Sequence, residues 1–359
     1  MGVEFVNINV STTGLYTTST RDYGTVAVVG NGGTSNTTPV KIGSYSEATA
    51  TFSDTALGDG VRAALLNGAS KVWAVDCGTP TLQGVTSALE SLEGYDIQVV
   101  ALAGIVETAD DAYISDALCD HVYAAATERV GVFQLGAEED ITTVPTAITG
   151  MLTANKSRMF GIAHNSTSEV ACAVAGLISK LKPWESPLLK GITGVVQTIG
   201  FTNAQIAALE TAQINVLVDP IYITGEGYVL GSDFVMGSAV SGVSFIDTRR
   251  VIDDIAYKLK AGLTDPNIIG EVRINKTGLA TLINRLSGIL QTCVNVGEIE
   301  DYNITLPVLN ALSKDESSRS TAEALLITTA RTSRAISGTV QISYAGVLHT
   351  INLDVNIVA

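Results

Sequence analysis

Gly24-Thr25-Val26-Ala27-Val28-Val29-Gly30 decides the fold class. A strand with one wet face alternates apolar and polar residues. A continuous apolar run closed by glycines belongs to a strand covered on both faces. Similar apolar runs recur at Lys71–Val75, Ile97–Ala101, Val130–Leu135, Met159–Ala163 and Ile214–Val218. Helical text lies between them. Ala56–Asn67 stops at Gly68, a C′ residue free to take positive φ. Ala109–Arg129 opens on Asp110 and Asp111, which suit the positive end of a helix dipole. Ser168–Leu181 stops before Pro183. Thr202 and Gln205 form a capping box ahead of Ile206–Ala212. Strands alternating with helices imply an α/β layer with a mainly parallel sheet flanked by helices.

The rhythm changes after about residue 240. Asp247 is expected to cap a helix running to Ala261 and ending at Gly262. A second helix, Thr277–Val296, places Leu279, Leu282, Ile283, Leu286, Ile289, Leu290 and Cys293 on one face. Strand text follows at Tyr302–Leu306. This part reads as an α+β C-terminal domain with extended terminal β-arms. The expected division is an arm and hinge at 1–22, an α/β domain at 23–239 and an inner domain at 240–359. Thr34–Pro39 and Ser313–Thr321 read as loops.

Both ends of the chain alternate. Near the start, Phe5, Val6, Ile8 and Val10 are the apolar members. Near the finish they are Val340, Ile342 and Tyr344, then His349, Ile351, Leu353, Val355 and Ile357. Burying an aliphatic side chain gives about 1.5–3 kcal/mol. Pairing of the last strand is therefore worth on the order of 10 kcal/mol as an upper bound, comparable to a domain's whole stability. Such a strand pairs, either in its own sheet or in a neighbour's. The N-terminal segment is the one expected to cross over, on the Thr/Ser-rich hinge Ser11–Arg21.

The 359 residues are 46% hydrophobic and 16% charged, ample for a packed core. A net charge of −15 argues against a nucleic-acid partner, which needs a basic face. Cys77, Cys119, Cys172 and Cys293 show no C-x-x-C spacing and read as reduced, buried residues. There is no signal-peptide pattern and no apolar run of spanning length. Met1-Gly2 is followed by Val6 where a myristoylation site needs Ser or Thr. The expectation is a protein folded and assembled in the cytoplasm, without membrane insertion.

Catalytic text is missing. Gly30-Asn31-Gly32-Gly33 follows a strand, but Ser35 stands at the sixth position of G-x-G-x-x-G and no helix text follows to receive a pyrophosphate. Asn31-Gly32 reads better as a turn. His121, His164 and His349 have no metal-ligand spacing, and no G-x-S-x-G elbow occurs. Glu138-Glu139-Asp140 reads as a solvated loop or helix start. No cofactor or metal is expected.

One long segment is distinctive. It runs from Trp184-Glu185-Ser186-Pro187 through Gly191-Ile192-Thr193-Gly194-Val195, Leu209, Ile214-Asn215-Val216, Gly225-Glu226-Gly227 and Gly231 to Phe245-Ile246-Asp247-Thr248-Arg249-Arg250. This order resembles the contractile tail sheath family of myovirus tails, R-type bacteriocins and extracellular injection particles. The short N-terminal arm, the run at Gly24–Gly30 and Leu65-Asn67-Gly68-Ala69 extend the resemblance over nearly the whole chain. Gly231-Ser232-Asp233-Phe234 departs from the basic-aromatic strand of many relatives, and the large outer insertions are absent. The resemblance implies a structural subunit without enzymatic activity. It would form a helical stack of rings, sixfold in the family, around a tail tube. Baseplate and tail terminator proteins would be further partners, in a virion tail or a released particle. Terminal arms would complete neighbours' sheets, and contraction would drive the tube through a target envelope. Lys314, Arg319, Arg331 and Arg334 stand out in an acidic chain as candidates to meet an acidic tube. A non-contractile shell or surface array and an α/β nucleotide-binding enzyme are the alternatives.

Overall fold

A computed structural model describes residues 21, 23–34, 36–105, 113–124, 128–135, 156–164, 166, 168–195, 201–219, 227–237, 243–265 and 268–349. They divide into two compact units: the described residues within 23–257, with 296–301 and 342–349, and those within 258–295 and 302–341, with Arg21. The boundary at 257/258 falls inside a helix.

Among the described residues, the first unit is built on an eight-stranded sheet. Its strands are β1 (Thr25–Gly30), β2 (Val40–Ile42), β3 (Lys71–Asp76), β4 (Val99–Ala103), β5 (Val130–Leu135), β6 (Met159–Ala163), β7 (Ile214–Val218) and β8 (Val229–Leu230). The order is β2-β3-β1-β4-β5-β6-β7-β8. The neighbours from β3 to β7 are parallel, and the edge strands β2 and β8 are antiparallel. The mainly parallel sheet expected from the apolar runs is therefore present.

Side-chain alternation sorts each run between two cores. Val26 and Val28 pack with Val61, Ala64 and the helix Val170–Lys180 on one face. Ala27 and Val29 pack with Val85, Leu118 and Leu209 on the other. That is why β1 is buried at every position. The helices are α1 (Tyr45–Phe52), α2 (Ala56–Leu66), α3 (Leu82–Glu90), α4 (Tyr113–Ala124), α5 (Val170–Lys180) and α6 (Asn203–Thr211). α5 lies close on α2 because Gly176 has no Cβ to meet the Ala64 carbonyl. Gly68 follows α2 with φ 114°, as a C′ glycine does. Both hydrogen bonds of the Thr202–Gln205 capping box are made.

Two expectations shift in this unit. Arg129 does not end a helix. It precedes β5, wholly buried, and its guanidinium donates to the carbonyls of Leu92 and Tyr95. Asp247 does not cap the next helix, α7 (Ile246–Leu263), but lies inside its first turn. Ile246 packs into the sheet's core, and the helix begins there, two residues earlier than a cap at Asp247 implies.

In the second unit, α7 continues through Gly262 instead of stopping there. A side chain at 262 would collide with Ile289 of α8 (Lys276–Asn295), so this glycine permits helix contact rather than ending a helix. The expected face of α8 is buried at Leu279, Leu286, Ile289, Leu290 and Cys293. β9 (Asp301–Thr305) lies where strand text was read. Two helices were not foreseen: α9 (Pro307–Ser313) and α10 (Thr321–Ser333). They close a small core with Leu279, made of Val308, Ala311, Ile327 and Ala330. β10 (Thr339–Ser343) pairs with β9.

Candidate assembly site

The glycine loop after β1 is closed by its own neighbour. Asp76 at the end of β3 accepts from the backbone of Gly32 (2.7 Å), Thr34 (2.6 Å) and Gly78 (2.8 Å), and from the Thr34 hydroxyl. These bonds draw the Asp76 pKa below the usual carboxylate value despite the opposing effect of burial. The amides that would cradle a phosphate are spent on a carboxylate, and the loop leads into edge strand β2 rather than a helix.

Burial, with Arg129 at 2.7 Å, lowers His121 to about 4, and burial lowers His164 to about 4. None of the four cysteines is in a disulfide, and all four are buried. Among the described residues no cluster of three or more metal-ligating side chains occurs, and no helix is long and apolar enough to cross a membrane. Glu138-Glu139-Asp140 lies outside the described residues.

The distinctive central motif has a structural job. Buried Asn215 on β7 donates to the carbonyls of Gly161 and Phe234 and accepts from the Phe234 amide at 2.7 Å. This pins the segment Asp233–Met236, which pairs with residues 244–246. Gly191 bridges to Val229, laying the glycine-led loop along β8. Arg250 donates to the carbonyls of Leu181 and Lys182, capping the C-terminal end of α5 with positive charge. Arg249 and Arg158 converge on Asp253, Arg158 in bidentate geometry at 2.7 and 2.8 Å.

The C-terminal segment docks beside this motif. The Tyr344 hydroxyl donates to Asp247 at 2.6 Å. Burial, then the Asp247 carboxylate, push the Tyr344 pKa well up. His349 Nε2 lies 3.1 Å from Asp233 Oδ2, which also accepts from the Ser186 hydroxyl at 2.5 Å. Burial raises the Asp233 pKa, and these two partners pull against it. Phe245 stacks on His349 at 4.2 Å between centroids and on Phe234 at 5.5 Å. His349 is thus satisfied, and it does not lie on a strand. Sequence reading saw the alternation here and missed these sequence-distant partners, which only the fold brings together.

The predicted site residues divide as follows. Val340 and Ile342 lie on β10, while Tyr344 lies just past it. Phe5, Val6, Ile8 and Val10, and Ile351, Leu353, Val355 and Ile357, lie outside the described residues. Lys314 pairs with Glu323 at 2.5 Å. Arg319 donates to the carbonyls of Ala311 and Lys314, and Arg331 Nε donates to the Ile274 carbonyl. Arg334 is the left-handed C-cap of α10 and is exposed. Sequence reading did not single out Leu325 on α10, which is 65% exposed.

No protein-family model and no curated protein sequence matches the chain. Solved structures do. The anti-feeding prophage helical sheath in its contracted state aligns over 99% of both chains, at 14% identity and a TM-score of 0.68. The fold is that of contractile tail sheath proteins. The sheath tail protein of Desulfitobacterium hafniense aligns at 12% identity and TM-score 0.63, over 85% of this chain and 93% of its own. That of Listeria innocua gives 12% and 0.59, over 80% and 90%. The sheath fold thus spans both units, including the small α8–α10 core and the β9–β10 pair.

Proposed function

We propose that the chain is a structural subunit of a contractile sheath. It polymerises as stacked rings around a tail tube and shortens to drive the tube through a target envelope. Its partners are other copies of itself, the tube, and baseplate and terminator proteins, in a particle assembled in the cytoplasm. One of the similar structures is a sixfold-symmetrised baseplate of the anti-feeding prophage, in line with sixfold rings here.

The supporting observation is the β9–β10 pair. Among the described residues it has two strands only. Its residues are exposed or half-buried, Ile342 being 38% exposed. Two strands alone are marginal in water, and a sheet of this kind is completed by a further strand. The alternating segments at 5–10 and 351–357 are the strands the chain has to offer. Exchanged between copies, they complete the sheet and keep neighbours linked as subunits move.

Charge supports a tube-facing role for the second unit. Residues 258–295 and 302–341 hold nine Lys/Arg against five Asp/Glu, while the rest of the chain holds 12 against 31. The basic unit faces an acidic tube through α10, with Leu325, Arg331 and Arg334 outermost. Complementary charge sets register and still permits release.

Deleting residues 1–11 tests the arm. The truncated chain is expected to keep its thermal unfolding midpoint and to lose polymerisation, read by sedimentation and electron microscopy. Normal tubes from the truncated chain would remove arm exchange from the account.

A further inference from the structure

The turn at 187–190 carries a strained leucine on the outside of the α/β unit. Leu189 has φ 57° and is 53% exposed. That left-handed backbone is costly for a bulky side chain and natural for glycine. Three hydrogen bonds hold it. The Leu189 amide donates to the Leu230 carbonyl at 2.9 Å, the Lys190 amide to the Pro187 carbonyl at 3.1 Å, and the Leu188 amide to the Ser186 hydroxyl at 3.0 Å. Ser186 is itself fixed on buried Asp233. An apolar side chain is thus presented to solvent on a rigid turn at the β8 edge of the sheet. Lys190 follows it and lines one hollow with Lys180, which gives this knob a basic flank.

A groove elsewhere on the same unit has the opposite character. It lies between α3 and α4 and has a volume of about 420 Å³. Leu82, 49% exposed, and Ala117 give it apolar surface, while Glu90, Glu93, Asp116 and Asp120 line it with negative charge. Desolvation and then the Asp120 carboxylate raise the Asp116 pKa, with Lys156 pulling against them. Among the described residues, none of these four acids takes part in a salt bridge, and neither do Lys180 and Lys190. Knob and groove stand apart in one chain. α4 packs on β5, where Leu118 fills the space that a side chain at Gly131 would take. β6 and β7 then separate β5 from β8, three strand spacings or about 14 Å.

We propose that the Leu189 knob of one copy seats in the α3–α4 groove of the next, with Lys180 and Lys190 meeting the groove's carboxylates. This rests on the reading of the chain as a self-assembling subunit and names a surface through which copies meet. Complementary charge orients the contact, and the leucine supplies its apolar centre. Each copy offers one knob and one groove on different surfaces, so the contact runs head to tail. Repeated, such a contact closes into a ring or winds into a helix, according to its rotation. The strain at Leu189 then serves the contact rather than the fold.

Two measurements on the full-length chain test this. The first mixes equal amounts of Leu189→Cys and Leu82→Cys chains with a short bifunctional thiol reagent. The native cysteines are buried. The mixture should give a cross-linked dimer and either chain alone should not, because position 189 meets position 82 and not its own equivalent. No dimer from the mixture, or an equal yield from Leu189→Cys alone, overturns the proposal. The readout is separable from sheath formation. Tubes without the cross-link would leave the sheath reading standing and remove the knob, and the cross-link without tubes would do the reverse.

The second is Leu189→Gly. Glycine adopts this backbone without strain, so the thermal midpoint should hold or rise. Self-association, read by sedimentation, should weaken at least about tenfold, as loss of one buried leucine implies. Unchanged association, or a loss matched by a fall in the midpoint, overturns the proposal.

Discussion

Replacing Asp253 by alanine removes the carboxylate on which two guanidinium groups converge. Arg158 reaches its oxygens at 2.7 and 2.8 Å and Arg249 at 2.6 Å, and Asp253 is 4% exposed. Without it two largely buried cations lose their counter-charge, a change worth about 3–5 kcal/mol. Arg158 keeps its bond to the Arg129 carbonyl at 3.0 Å, so the lower part of that range, about 3–4 kcal/mol, is expected. For a unit of this size each kcal/mol moves the midpoint by about 2–4 °C, which gives a fall of roughly 6–16 °C. Asp253→Asn keeps shape and one acceptor and should cost about half as much. Thermal unfolding by circular dichroism reads both. A loss under about 1 kcal/mol, the value of an exposed pair, would show that this cluster does not hold α7 against the sheet.

Further tests address the pH response and the tube face. Glu169 is half-buried at the start of α5, its carboxylate accepting from the Gly104 amide at 2.9 Å, and desolvation lifts its pKa from 4.5 to about 7. A raised acid pKa means that the folded state holds the proton longer than the unfolded chain. The stability it contributes is full below about pH 4.5 and lost as pH rises through 7. Glu169→Gln should therefore flatten this part of the profile and raise stability at pH 8 by about 1–3 kcal/mol, at 1.36 kcal/mol per pKa unit. An unchanged profile in denaturant titrations would contradict the assignment. Arg331→Glu/Arg334→Glu should leave unfolding unaltered and weaken assembly on a purified tube. Unchanged co-assembly would remove these arginines from the tube face.

Much of the α/β unit was legible because its strands are covered on both faces and its helices end on chemistry that sequence displays. Gly68, the Thr202–Gln205 box and the run Val130–Leu135 all act locally. Gly262 misled because a glycine near a helix end reads as a stop, whereas here it makes room for Ile289. Asp247 looked like a cap because a side chain 97 residues away was invisible in the local text. α10 escaped because its apolar face is short: only Ile327 and Ala330 are buried, while Leu325 and Leu326 point outward. The basic residues were visible as a cluster, but the partners of Lys314, Arg319 and Arg331 were not. The contacts of Tyr344 and His349 had no local signal, since distant stretches supply their partners.

The central claim is that this chain builds a sheath, and electron microscopy of the purified protein tests it most directly. The account predicts hollow tubes of stacked rings with a cogwheel outline, formed without added nucleotide. Flat arrays or closed shells would contradict it in favour of a non-contractile assembly. Dispersed small particles that only a ligand stabilises would contradict it in favour of a binding enzyme.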